Sequence, residues 1–306
     1  MQGVDDLKLG DDLVRLPGRQ ADTADLALVH TRAYLDQLAE FCRRGGGQLD
    51  PDTFARPDSW SAARRAAGAG LAAVEVLAAD QADVAFVAAR PPGHHALADR
   101  AMGFCLLNNV AVAAAKLAAG GERVLIVDWD VHHGNGTQAI FWGDPRVLFV
   151  STHQAPFYPG TGAAEEVGGG EARGLTVNIP LPPGATGDVV LRAFDEVAAP
   201  AVERFAPTWV LVSAGYDAHR DDPLADLALS SGDFAQLASV VAGFAPRPGR
   251  LVLFLEGGYH LAAIRRSVGA TLASLLGAPH QTEPPTSGGP GIDAPGPQSP
   301  KRAGGR

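Results

Sequence analysis

One stretch constrains this chain more than any other: Val124-Leu-Ile-Val-Asp-Trp-Asp-Val-His-His-Gly-Asn-Gly136. It starts as a short apolar run, 124–127, between the turn signal Gly120-Gly121 and a polar cluster, as a strand buried on both faces does. Asp128, Asp130, His132 and His133 follow at its end, and Gly134 and Gly136 let the backbone turn sharply. Carboxylates and imidazoles packed this tightly at the carboxyl end of a strand suit a metal site on an open α/β sheet. On an extended backbone Asp130 and His132 point the same way and Asp128 shares that face, whereas His133 faces the other way and reads as structural. A charged loop that merely caps a strand needs no such concentration of aspartate and histidine.

Around that stretch, strands and helices alternate. Apolar runs of strand length stand at 84–89, 147–151, 175–179, 209–213 and 251–255. Helical periodicity occupies 26–41, 59–79, 104–119 (interrupted in character by Asn108-Asn109), 188–204, 231–244 and 261–276. The alternation predicts an α/β fold, a single domain with a central, mostly parallel β-sheet flanked by helices on both faces. With 306 residues, 46% of them hydrophobic, the chain can bury one large core or at most two domains. Residues 1 to about 20 show no clear period. From about residue 280 the composition turns to Pro, Gly, Ser and Thr, which predicts a folded domain over 1–280 and a disordered tail over 281–306.

Composition narrows the partners. A formal net charge of −9 argues against a general nucleic-acid binder and suits cationic substrates. The mixed, acidic N-terminus does not read as a signal peptide, and no apolar run reaches membrane-span length, so no membrane partner is expected and the cytoplasm is the default compartment. The two cysteines, Cys42 and Cys105, imply no disulfide framework. Nothing in the sequence fixes an oligomeric state.

Polar punctuation recurs after each strand. Run 84–89 leads into Arg90-Pro-Pro-Gly-His-His-Ala96, 147–150 into Ser151-Thr-His-Gln154, 209–212 into Ser213-Ala-Gly-Tyr-Asp217, and 251–255 into Glu256-Gly-Gly-Tyr259. In a parallel sheet these ends share one edge, where ligands bind.

With those motifs in order, the chain resembles the histone deacetylase and acetylpolyamine amidohydrolase family, of the arginase–deacetylase fold, over about residues 26–276. The motifs P-P-G-H-H, G-F-C-L-L-N-N, D-W-D-V-H-H-G-N-G-T-Q, Y-P-G-T-G, S-A-G-Y-D and E-G-G-Y carry the likeness, and the D-W-D-V-H-H-G-N-G-T-Q form is most similar to class II-type and bacterial deacetylases. The resemblance implies hydrolysis of an acetylated amine, most simply N6-acetyl-lysine of proteins, to acetate and a free amine. It implies Asp130, His132 and Asp217 as ligands of zinc, with ferrous iron as the alternative. His94 and His95 match the family's proton-handling pair, with Asp128 accepting from His94 and Asn135, more weakly, from His95. Some relatives carry aspartate in place of Asn135, and a neutral partner favours the imidazolium less, so His95 is expected to be the less basic for it. Tyr259 matches the tyrosine that binds the substrate carbonyl, and Gly257-Gly258 reads as freedom for its hydroxyl to swing inward. Relatives with histidine there are poor deacetylases.

Gly103, Phe104 and Tyr158 match the walls of an acyl-lysine tunnel, Tyr158 standing where many relatives have phenylalanine. Leu224 matches the gate position, glutamate in a polyamine-preferring relative, and Asp52 is placed at the rim. A structural potassium site maps onto Asp128, Asp130, His132, Ser151 and Thr152, and a second onto Phe141, Asp144 and Val147. The proline-rich, arginine-bearing segment that family members carry upstream has no counterpart before Leu28, which points to a shortened or reworked start and leaves the sheet edge open. Three other readings stay open: an acetylpolyamine or small-molecule amidohydrolase, a binuclear manganese ureohydrolase, which would need further carboxylates where His219 stands, and an inactive acyl-lysine binding module.

Overall fold

The computed structural model describes residues 2–291. Six strands form one parallel sheet: β3 (Ala85–Val87), β4 (Val124–Asp128), β5 (Val147–Gln154), β6 (Thr176–Leu181), β7 (Trp209–Ala214) and β8 (Leu251–Leu255). Their spatial order is β3-β8-β7-β4-β5-β6. A short antiparallel pair, β1 (Gly47–Gln48) and β2 (Phe54–Ala55), stands apart. Because the sheet is covered on both faces, its strands read as unbroken apolar runs, yet their side chains still alternate. Val124 and Ile126 enter one core with helices Ser59–Ala78 and Asn109–Ala119, while Leu125 and Val127 enter the other with helices Ser231–Ala242 and Leu261–Leu276.

The order of the strands also locates a crevice. From β4 the chain moves outward through β5 to β6, then returns to the opposite side of β4 for β7 and β8. Connections leaving β4 and β7 therefore diverge, and a cleft opens outside their carboxyl ends. Helices on both faces and parallel strands match the predicted architecture.

Several boundaries differ from the sequence expectation. The helix expected from residue 104 begins at Asn109, because Asn108 turns its side chain onto Ala111 N–H as an N-cap. Gly103 and Phe104 both take positive φ, 57° and 64°, in the turn before it. The helix expected over 188–204 contains a wider turn, Phe194–Ala198, between Gly187–Ala193 and Ala199–Phe205. At the start of the chain Gln2–Asp5 is a helical turn beside Leu261–Leu276, with Asp6 bonded to Arg265. Among the described residues the chain before Ala85 gives no strand to the main sheet, so the three-residue β3 is its edge.

The C-terminal segment over 281–291 has no regular secondary structure but is bonded to the domain. Glu283 bonds to His219 and Ser231, and Thr286 to Asp233 and Gly187. Gly289 donates to Thr186. A few anchored polar groups hold this segment without the apolar burial that composition reads. Residues 292–306 of the expected tail lie outside the described residues.

Candidate metal centre and active site

At the mouth of the β4–β7 crevice, Asp130 and His132 from the β4 loop meet Asp217 from the β7 loop. His132 Nδ1 lies 3.0 Å from Asp130 Oδ1 and 3.2 Å from Asp217 Oδ2. The remaining carboxylate oxygens are held by backbone amides. Gly257 N–H donates to Asp130 Oδ2 at 2.7 Å and Val131 N–H to Asp217 Oδ1 at 2.9 Å. Asp217 Oδ2, buried, has no hydrogen-bond partner, and His132 Nδ1 is not aligned to donate to it.

Glycine makes this convergence possible. A Cβ at Gly257 would overlap Asp217 Oδ2, and one at Gly215 would overlap Asp130 Oδ2. The sequence reading of Gly257-Gly258 as freedom for a swinging loop is therefore corrected: Gly257 serves close approach, since its N–H and C=O are both bonded, to Asp130 and Tyr216.

The electrostatics favour a cation. Burial raises the Asp217 carboxyl to about 6, with Asp130 adding to the effect. Burial alone would lower the His132 imidazole, but Asp130 and Asp217 hold it up, to about 10. One proton thus stands where two buried carboxylates and an imidazole converge, a proton that a metal ion displaces. Tetrahedral zinc with nitrogen and oxygen ligands holds its donors roughly 3.3 Å apart, close to the spacings above. The orphaned oxygen, the glycine cradle and the donor set all fit a divalent ion.

Behind this group sit the paired histidines, with ring centroids 4.0 Å apart. His94 Nδ1 donates to Asp128 Oδ2 at 2.9 Å, and His95 Nδ1 donates to Asn135 Oδ1 at 2.7 Å. Burial opposes charge on both. For His94 the Asp128 and Asp130 carboxylates overcome it and hold the imidazole well above its ordinary range. For His95 burial and the neighbouring His94 charge hold it well below. Gly103 backs directly onto His95, where a Cβ would collide with the ring.

Tyr259 and Phe104 meet at a steep angle with ring centroids 6.1 Å apart, and the Tyr259 phenol is raised by burial and by Asp130 and Asp217. Tyr158 stands edge-on to His95, with ring centroids 5.2 Å apart, and Phe157 stacks on His132 at 5.2 Å. Asp52 reaches the same wall, accepting from Gly103 N–H at 3.2 Å. Phe104 and Leu224 are 40% and 48% exposed, as walls open to solvent are. Ser151 is in register with Asp128, and Thr152 follows it, both buried. Phe141, Asp144 and Val147 lie together through backbone bonds on the loop entering β5. His133 turns away to Thr161 and Gln138. His219 also falls outside the group, held by Glu283.

The sequence reading missed two carboxylates. Glu256 accepts from Gly93 N–H at 2.6 Å, from His94 N–H at 3.2 Å and from Ser213 Oγ at 3.2 Å, and burial raises its carboxyl to about 7. Asp222 accepts from the backbone amides of Tyr259 and Leu224. The presence of Glu256 in the E-G-G-Y motif was a signal for the first; for the second nothing in the sequence was.

A histone deacetylase domain matches residues 2–275. A histone deacetylase-like amidohydrolase of Pseudomonas aeruginosa is 44% identical over 249 residues, covering 80% of this chain and 66% of that protein. A probable deacetylase of Archaeoglobus fulgidus is 43% identical over 81% of this chain and 69% of its own length. An uncharacterized protein of Synechocystis is 47% identical over 81% of this chain and 80% of its own. The crystal structure of the HDA15 HD domain is similar with a TM-score of 0.82 and 39% identity, over 86% of this chain and 75% of that one. An α/β sheet with a carboxylate–imidazole cluster at its switch point defines the class: a scaffold that could hold a metal ion at its strand ends. Within that class, the chain belongs to the histone deacetylase family, whose members are hydrolases of acetylated amines. Among the described residues no helix is long and apolar enough to cross a membrane.

Proposed function

We propose that this protein is a zinc-dependent deacetylase that hydrolyses N6-acetyl-lysine of proteins to lysine and acetate. The observation that carries the reading is the orphaned Asp217 Oδ2 facing Asp130 Oδ1 and His132 Nδ1 directly before a histidine pair of opposite basicity. Asp130, His132 and Asp217 would hold the zinc, or ferrous iron, which when bound polarises the acetyl carbonyl and acidifies water. His95 is neutral and donates through Nδ1 to Asn135, so its Nε2 carries the lone pair that takes a proton from the attacking water. His94, charged and held through Nδ1 by Asp128, delivers a proton from Nε2 to the departing amine. The Tyr259 phenol stays protonated and donates to the developing oxyanion. Phe104 and Tyr158 exclude water from the acyl chain and hold its methylenes. Potassium beneath the centre, at Asp128, Asp130, His132, Ser151 and Thr152, belongs to the same reading, supported by Ser151 lying in register with Asp128.

The apolar Leu224 favours a lysine stem over a second ammonium. One observation favours a different substrate, an acetylpolyamine: Asp50 and Asp52 lie near enough to raise the Tyr158 phenol, after burial, and carboxylates there can meet a distal ammonium. Kinetics on an acetyl-lysine peptide and on acetylspermidine, with chelated and zinc-restored protein side by side, test both. A higher kcat/KM for the peptide, abolished by chelation, is expected. Turnover that chelation leaves intact overturns the metal reading, and a tenfold preference for acetylspermidine overturns the substrate.

A further inference from the structure

Asp222 is a buried carboxylate that holds two backbone amides, one two residues away and one 37 residues away. Its Oδ2 accepts the Tyr259 amide at 2.7 Å, and its Oδ1 accepts the Leu224 amide at 3.0 Å. Its own N–H donates to His219 O at 2.8 Å, on a residue that is itself fully buried and bonded to Glu283. One side chain thus links the β7 loop, which carries the exposed Leu224, to the β8 loop, which carries Tyr259. Both bonds are made from a fixed base, the Asp222 amide being bonded to His219 O.

The tyrosine needs such a tether. It follows Gly258, at φ 133°, where the backbone has a freedom that other residues lack. Before it, Gly257 is fixed to Asp130; after it, His260 caps helix Leu261–Leu276 through Ala263 N–H. Between those anchors the Tyr259 amide finds its acceptor in Asp222. The ring then lies beside Phe104, with centroids 6.1 Å apart.

We propose that Asp222 is a positioning residue for deacetylation: it sets where the Tyr259 hydroxyl stands and ties that placement to the Leu224 gate. Substrate pressing on the gate and the donor to the oxyanion are then joined through one carboxylate. The inference rests on the catalytic role given to Tyr259 above.

A double-mutant cycle tests it. Asp222→Ala is expected to lower kcat by about 10–100-fold, part of the loss that removing an oxyanion donor brings. Asp222→Asn, the same size but with one acceptor oxygen, is expected to fall between Asp222→Ala and the parent, which guards against a variant that fails to fold. In a Tyr259→Phe background, Asp222→Ala should lower kcat less than about threefold further, because the hydroxyl it positions is gone. Amide hydrogen exchange should quicken in peptides covering 256–260 and 222–226 and stay unchanged in β4, with metal content preserved. Losses that multiply in the double variant, or exchange that stays unchanged near Tyr259, overturn the inference while leaving the deacetylase reading in place. A Tyr259→Phe enzyme as active as the parent removes the role of Tyr259 and the inference with it.

Discussion

His94 and His95 are neighbours in sequence, 4.0 Å apart between ring centroids, and they differ in one partner: Asp128 carries a charge and Asn135 does not. That difference, with His94's own charge and the burial of both rings, splits their proton affinities in opposite directions. A base must be neutral to act, so the acid limb of kcat/KM should lie below the ordinary imidazole range. Asn135→Asp places a carboxylate on His95 Nδ1, which stabilises the imidazolium and raises its pKa. The acid limb should then move to higher pH, with activity lost earlier on acidification. A pH–rate profile of parent and variant measures it; an unmoved limb would assign the base elsewhere.

The metal site makes a pH prediction of its own. In the metal-free protein Asp130 and Asp217 overcome burial and hold His132 protonated up to about 10. A metal ion must displace that proton, so affinity should rise as pH rises through neutrality, by roughly tenfold per pH unit for one proton released. Chelator competition at several pH values reads the slope, and a flat dependence would exclude His132 Nδ1 as a donor. Asp217→Ala should lose the ion. Gly257→Ala keeps every donor yet should lose it too, because the added methyl collides with Asp217 Oδ2.

Tyr259→Phe removes one hydroxyl beside Asp130 and Asp217 and none of the donors. The loss of an oxyanion donor costs about 2.7–4 kcal/mol, or about 10²–10³ in kcat. Metal content and unfolding midpoint should match the parent. Activity within about twofold of the parent would show that the hydroxyl points away from the carbonyl.

The gate role proposed for Leu224 makes a prediction about substrate choice. The side chain is 48% exposed and uncharged, so the parent should turn over an acetyl-lysine peptide with the higher kcat/KM. Leu224→Glu gives a distal ammonium a partner worth on the order of 1–3 kcal/mol when partly desolvated. The ratio against acetylspermidine should narrow or invert. A ratio that does not move would place the cation contact at Asp50 and Asp52 instead.

Much of the sheet was legible because a strand covered on both faces leaves a continuous apolar run, and each run here ends in polar motif residues. Parallel strands deliver their ends to one edge, which brought Asp130, His132 and Asp217 together, and the family resemblance singled them out as a set. Asp222 was not legible in its role. A carboxylate that accepts from an amide 37 residues away, as Asp222 does from Tyr259, leaves no period and no spacing rule behind. The start of helix Asn109–Ala119 was misplaced because Asn108 was read as an interruption when it is the cap. Gly257 was read for flexibility when its lack of a side chain serves contact, a distinction that only the facing Asp217 can reveal.

The segment around Glu283 and Thr286 carries a practical consequence. It lies beyond residue 275, where the family domain match ends, yet it closes over His219 and the first turn of helix Ser231–Ala242. A recombinant fragment trimmed to the matched residues would leave an imidazole with no exposed surface today facing open water, two residues from Asp217. The boundary drawn by likeness and the boundary drawn by contacts are not the same, and a shortened protein should be cut after the second.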